Sequence, residues 1–316
     1  MAENLVDVHA HFTTDHYIET AKASGHAQAD GMPEAFWPRW RVDDQLRLMD
    51  KLGIGRSMLS ISSPGVHFGD DAAARELARS VNEAGAAEVA AHPDRFGLFA
   101  SLPLPDVEGS LAELDHAFDT LGADGVVLMS NSQGVYFGDE RMDQVLSELN
   151  RRAAVVFLHP TSAACHEVVD LGFPRPMIEF LFDTARTVVE YVLSGSAERY
   201  PGIRVIVPHG GGVIPLLADR VEMFRTLLRG EGGRTVQDQL RAFYFDLAGT
   251  PSAQQMAVLE AVADREHLLY GSDYPWTPAD LAGRLLGGLD QVAGDGWRGR
   301  TTRNAERLLT RGRSAA

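Results

Sequence analysis

Two histidines one residue apart, His9 and His11, close a short apolar run near the start of the chain. Three further residues able to hold a cation or move a proton follow later apolar runs. His159 follows Phe157-Leu158, His209 follows Val207-Pro208, and Asp273 follows Gly271-Ser272. Alternate residues of a strand point the same way, so His9 and His11 can face one point. Three imidazoles and a carboxylate are a common donor set for one divalent metal ion, Zn2+ or Mn2+. An HxH pair is weak evidence alone, and a single histidine at a strand end is commonly a hydrogen-bonded structural residue. Convergence of His9, His11, His159 and Asp273 on one mouth makes them candidate ligands.

Other residues stand where they could serve that centre. His209 leads into Gly210-Gly211-Gly212, a turn into a helix whose N-terminus suits an anion. It either ligates a second metal or stands off the first and moves protons. No GK[ST] follows, so the glycines are no phosphate loop. Asp246, ending another strand, is placed to orient a ligand or the substrate. Phe12, Trp37 and Trp276 are the aromatics positioned to wall an apolar pocket. His67 either touches substrate or is a satisfied loop histidine, while Cys165 and His166 read as loop residues.

Such convergence needs a scaffold that brings many strand ends together. Continuous apolar runs predict strands at Leu5–Val8, Ser57–Ile61, Phe96–Leu102, Gly125–Met129, Ala154–Leu158, Arg204–Val207, Phe243–Leu247 and His267–Tyr270. Amphipathic segments between and after them predict helices at Val42–Leu52, Asp70–His92, Ser110–Leu121, Glu140–Arg152, Met177–Arg199, Ile214–Leu228, Ala253–Ala263 and Pro278–Leu289. Eight such alternations make an α/β fold, a (β/α)8 TIM barrel, whose strand C-termini share one mouth. Residues 1–316 read as one domain, with a small lid insertion after strand 1 at about 13–41. That insertion carries Phe36, Trp37 and Trp40, which are costly to leave in water.

Composition bounds the function class. The 316 residues include 29 basic and 44 acidic side chains, a formal charge of −15, which disfavours nucleic acid as a partner. Cys165 is the only cysteine, so no intrachain disulfide can form. No apolar run reaches membrane-spanning length, and the N-terminal MAENLVDVHAHF lacks the pattern of a signal peptide. The expectation is a soluble cytoplasmic enzyme with no nucleic-acid or membrane partner.

The HxH pair, His159, PHGG around His209 and GSDYP around Asp273 resemble the amidohydrolase superfamily. Within it the whole chain is similar to the metal-dependent decarboxylase branch, which includes aminocarboxymuconate semialdehyde and γ-resorcylate decarboxylases. A narrower resemblance, to 6-methylsalicylate decarboxylases of polyketide pathways, rests on DGMP at Asp30–Pro33, SISSPGVH at Ser60–His67 and FGLFASLPLPDVEGSL at Phe96–Leu111. ADGVVLMSNSQGVYFGD at Ala123–Asp139 and PRPMIEFLFDTAR at Pro174–Arg186 extend it.

The resemblance implies His9, His11, His159 and Asp273 as ligands, His209 as a proton-handling residue, and a homodimer or dimer of dimers. An arginine given across the dimer in relatives would match Arg220. Relatives acting on a dicarboxylate carry another arginine in the lid, and GMPEAFW at residues 31–37 has none. γ-Resorcylate decarboxylases carry Glu-x-His where this chain has His9-x-His11, which leaves zinc and manganese both open. The implied reaction is non-oxidative decarboxylation of an ortho-hydroxybenzoate, such as 6-methylsalicylate to 3-methylphenol and CO2. The metal would anchor the carboxylate and ortho oxygen of this small aromatic substrate, and Asp273 or a water managed by His209 would supply the proton. The same ligands also fit a hydrolase of a lactone, amide or C–C bond, or a non-catalytic binding protein.

Overall fold

The computed structural model describes residues 4–249 and 252–313. Among these, eight parallel strands pair in chain order: β1 Leu5–His11, β2 Ile54–Ser60, β3 Phe96–Ser101, β4 Gly125–Met129, β5 Val155–His159, β6 Arg204–Val207, β7 Tyr244–Asp246 and β8 Leu268–Leu269. The ring closes where Val8 N donates to Tyr270 O at 2.9 Å and His11 N donates to Tyr274 O at 2.7 Å. This is the expected (β/α)8 barrel.

The strands' inward residues fill the barrel. Val8, Met58, Phe99, Val127, Phe157 and Ile206 pack as one buried cluster. Ala305, Leu308 and Leu309 join that cluster from a terminal helix. Each large side chain so buried contributes about 1.5–3 kcal/mol against its ordering entropy. A filled interior leaves only the C-terminal rim open to carry polar groups.

Helices cover the outside: α1 Asp15–Ala23, α2 Val42–Leu52, α3 Asp71–Ala91, α4 Val107–Asp115, α5 Asp143–Arg151, α6 Glu179–Leu193, α7 Ile214–Arg229, α8 Ala253–Val262, α9 Ala279–Val292 and α10 Trp297–Arg313. Their ends follow local chemistry. α2 stops at Gly53, which takes the left-handed conformation (φ 72°) and closes a bond to Met49 O. α3 starts where Asp70 accepts from Ala73 N at 2.8 Å.

Three expectations need adjustment. The segment expected as one helix over Met177–Arg199 breaks at Ser194-Gly195, where Gly195 turns left-handed (φ 81°). The helix expected over Ser110–Leu121 begins earlier, at a cap where Asp106 accepts from Gly109 N, and widens to π pitch at His116–Thr120. The insertion at 13–41 is partly regular, because Thr14 caps α1 within it. None of the described helices is long and apolar enough to cross a membrane.

Candidate metal centre and its cavity

β1 delivers His9 and His11, the end of β5 delivers His159, and the turn after β8 delivers Asp273. One donor atom from each residue lies within 4.8 Å of the other three. The imidazoles are buried, and Asp273 adopts a left-handed backbone (φ 58°) that aims its carboxylate at them. Its Oδ1 stands 3.3 Å from His11 Nε2 and 3.5 Å from His9 Nε2, and its Oδ2 stands 3.7 Å from His209 Nε2.

Outer partners fix which nitrogen faces inward. His9 Nδ1 donates to Asp246 Oδ2 at 2.9 Å. Ser60 Oγ donates to Ala10 O, so it can only accept from His11 Nδ1, at 3.0 Å. His159 Nδ1 donates to Pro160 O at 2.8 Å, and its Nε2 accepts from Ser62 Oγ at 3.3 Å. With each Nδ1 turned to an outer partner, the Nε2 atoms of all three rings face one point, where a bound cation would take the place of a proton on His9 and of Ser62 Oγ at His159. His9 Nε2 and His11 Nε2 are buried with no hydrogen-bond partner, an expensive state that a bound cation relieves.

The field at that point is negative. Burial opposes a charge on His9, but Asp246 and then Asp273 outweigh it and push its pKa up to about 10. Burial would also raise the Asp273 carboxyl, yet contacts with His11, His209 and His9 hold it well below the usual range. Burial drives His11 and His159 down, so both remain neutral donors. Neutral imidazoles beside a carboxylate suit a borderline cation such as zinc or manganese.

The donors open onto a cavity of about 220 Å³ lined by Ala29, Asp30, Met32, Ser62, Ser63, His159, Pro176, Phe180, Leu181, His209, Asp273, Trp276 and Thr277. A dry cavity of about 150 Å³ is enough for benzene, so this one has room for a substituted ring.

The amidohydrolase family matches residues 6–310, nearly the full chain. The chain belongs to the amidohydrolase family. Among curated members, it is 34% identical over 299 residues to a 6-methylsalicylic acid decarboxylase of Aspergillus aculeatus, covering 91% of this chain and 89% of the relative. It is 32% identical to a 6-methylsalicylic acid decarboxylase of Penicillium expansum, covering 90% and 89%. A crystal structure of an amidohydrolase II protein superposes with a TM-score of 0.92 at 34% identity, over 97% of this chain and 100% of that one.

In this amidohydrolase the structure brings together His9, His11, His159, His209, Asp246, Asp273 and Trp276. Other expected contacts fall elsewhere. Phe12 does not wall the cavity. It follows His11 by one residue, so alternation turns it outward, where it packs against Trp40 at 6.0 Å and beside Gly85 of α3. Trp37 stands behind the wall, 5.4 Å from Trp276, with its indole N–H shared between His26 O and Ala27 O. His67 pairs with Asp71 at 2.9 Å and lines a different cavity. Arg220 lies exposed on α7 with its guanidinium over Phe224. Ser62, Ser63, Phe180 and Thr277 line the site without having been singled out by sequence. The only signal was their place in SISSP, the DTAR helix and GSDYPWT, next to recognised motifs.

Proposed function

We propose that this protein is a divalent-metal-dependent carboxy-lyase that removes CO2 from an ortho-hydroxybenzoate, 6-methylsalicylate being the foremost substrate and 3-methylphenol the product. One observation carries the reading. The four-donor centre opens on a largely apolar cavity of single-ring size, in a chain about one-third identical to 6-methylsalicylic acid decarboxylases. The residues that would hold the ion are His9, His11, His159 and Asp273, and zinc and manganese both suit them. When bound, the cation supplies a positive anchor for the carboxylate and the ortho oxygen and offsets the negative field.

The chain's own groups do the rest. Phe180, Leu181, Met32 and Trp276 supply apolar walls that take the ring and its methyl group and exclude water. His209 holds the proton. Asp273 has its two oxygens turned toward three imidazole nitrogens, so it is poorly placed to donate, whereas His209 lines the cavity that would take the ring. His209 protonates the ring carbon bearing the carboxylate. The bond to that carboxylate then breaks, its electron pair restores the aromatic ring, and CO2 leaves. His209 regains a proton from solvent.

The exposed apolar side chains of α7, among them Leu216, Met223, Leu227 and Leu228, support association of two copies through that helix. Arg220 lies on the same helix, in keeping with its contribution to the partner's site.

Reaction of 6-methylsalicylate with the metal-loaded enzyme in water labelled with heavy oxygen tests the reaction class. The expected result is stoichiometric CO2 and 3-methylphenol with no label in the phenol. No CO2 or 3-methylphenol from 6-methylsalicylate, together with turnover of a lactone or amide to products carrying oxygen from water, would establish a hydrolase instead.

A further inference from the structure

Beside the cavity at the metal centre lies a larger one of about 520 Å³, set over the ends of β2 to β5 and sharing Asp30 with it as a common wall. We propose that this outer cavity is a second binding site for an aromatic carboxylate, anchored by Arg175, where substrate is held before it passes Asp30 to the metal centre. The proposal rests on the reading above for the ligand's chemistry.

Arg175 is oriented but not neutralised. Its Nε donates to Ser162 Oγ at 2.5 Å, and that hydroxyl donates to Asp30 Oδ1 at 2.5 Å. A hydroxyl has one proton, so both bonds are made only in this order. The terminal nitrogens of Arg175 have no hydrogen-bond partner, and no carboxylate lies within ion-pair distance of them, among the described residues. A planar guanidinium with two free N–H groups side by side matches a carboxylate.

The surroundings agree with that ligand. His26 and His166 line the same cavity, and burial lowers the pKa of His26, leaving a neutral imidazole that can hydrogen-bond a ligand. His26 lies against Phe68 at 4.9 Å with the ring planes tilted by 41°, giving two aromatic faces for a ring to meet. Leu102 and Leu128 also line the cavity, as apolar contacts for a ring. The acidic groups in the lining do not cancel Arg175. Asp30 is engaged by Ser162, and Glu167 is exposed at the rim. The lid stretch GMPEAFW at residues 31–37 holds no arginine, yet the guanidinium of Arg175 packs against the lid at Gly31.

Equilibrium dialysis of the metal-loaded enzyme against radiolabelled benzoate tests this. The wild type should bind two benzoates per chain, of which only one is lost on adding a chelator. Arg175→Gln should bind one, and that one should be lost to the chelator. One benzoate per chain in the wild type, or two in Arg175→Gln, would overturn the proposal. Should Arg175→Gln lose both, Arg175→Lys decides: the outer affinity should fall at least about fivefold with the metal-dependent site unchanged, and equal weakening of both would overturn it. In steady state, Arg175→Lys should lower kcat/KM for 6-methylsalicylate with kcat unchanged, because staging precedes chemistry. An equal fall in kcat would place Arg175 at the reacting centre and overturn the proposal. Turnover by the wild type reports separately on the reaction: two bound benzoates without decarboxylation would remove the proposed function and leave the outer site.

Discussion

The carboxylate of Asp246 accepts from His9 Nδ1 at 2.9 Å, with both side chains fully buried. The other oxygen of Asp246 accepts from the backbone N–H of His209 and of Ala248, each at 3.0 Å. One residue at the end of β7 thus orients the candidate ligand His9 on β1 and anchors the turn that carries His209.

Asp246→Ala should therefore weaken metal binding by about 10–100-fold, the usual effect of removing a carboxylate behind a ligating imidazole. Competition against a chromophoric chelator measures it. Unchanged affinity would show that His9 is held by packing alone.

His209→Asn should keep its metal and lose at least about two orders of magnitude in kcat. Metal analysis and steady-state rates on one preparation check both parts. Metal loss as complete as in His159→Ala would make His209 a ligand, and a near-wild-type rate would end its role in proton transfer.

Phe12→Leu should lower stability by about 1–2 kcal/mol through lost packing against Trp40, while KM stays within about twofold. Denaturant unfolding together with kinetics separates the two effects. A large change in KM at unchanged stability would return Phe12 to the substrate wall.

The behaviour of Phe12 shows which parts of the site a sequence discloses. Alternation along a strand aims His9 and His11 inward, and the same rule sends Phe12 out. His159 and Asp273 are legible because polar residues ending parallel apolar strands must reach the mouth. Contacts between distant elements are not legible in that way. The Asp30–Ser162–Arg175 chain joins the lid to two stretches of the loop after β5, and only barrel closure brings them together. Ser60 looks like any strand serine until its hydroxyl is found between Ala10 O and His11 Nδ1. The helix α10 also escapes a search for apolar periodicity, because its sequence WRGRTTRNAERLLTRGR is dominated by polar residues. Yet Leu308 and Leu309 on it pack into the cluster that fills the barrel.

Glu222 on α7 offers a test of acid stability. Its carboxylate accepts from Arg225 Nη2 at 2.7 Å and from Val236 N at 2.8 Å, tying α7 to the short helix Val236–Leu240. The Arg225 hydrogen bond, outweighing burial and aided by Val236 N–H, lowers its pKa to about 2. A depressed pKa stabilises the fold above the unfolded-state value and is lost as pH falls toward the folded one, so this contribution should fade between about pH 4.5 and 2. Glu222→Gln should be less stable near neutral pH by under about 1 kcal/mol, with the difference shrinking across that window. Thermal melts at several pH values would show it, and a difference that grows on acidification would contradict the assignment.

Chelation of an ortho-hydroxyl beside the carboxylate is the centre of the account, and a comparison of three substrates on the metal-loaded enzyme tests it most directly. Mass spectrometry of the phenols formed from 6-methylsalicylate, salicylate and 4-hydroxybenzoate would give their relative kcat/KM. The first two should both react, differing by about 1–3 kcal/mol for the methyl contact, while 4-hydroxybenzoate keeps its carboxylate and nearly ceases to turn over. Turnover of 4-hydroxybenzoate matching that of the ortho compounds would contradict the account.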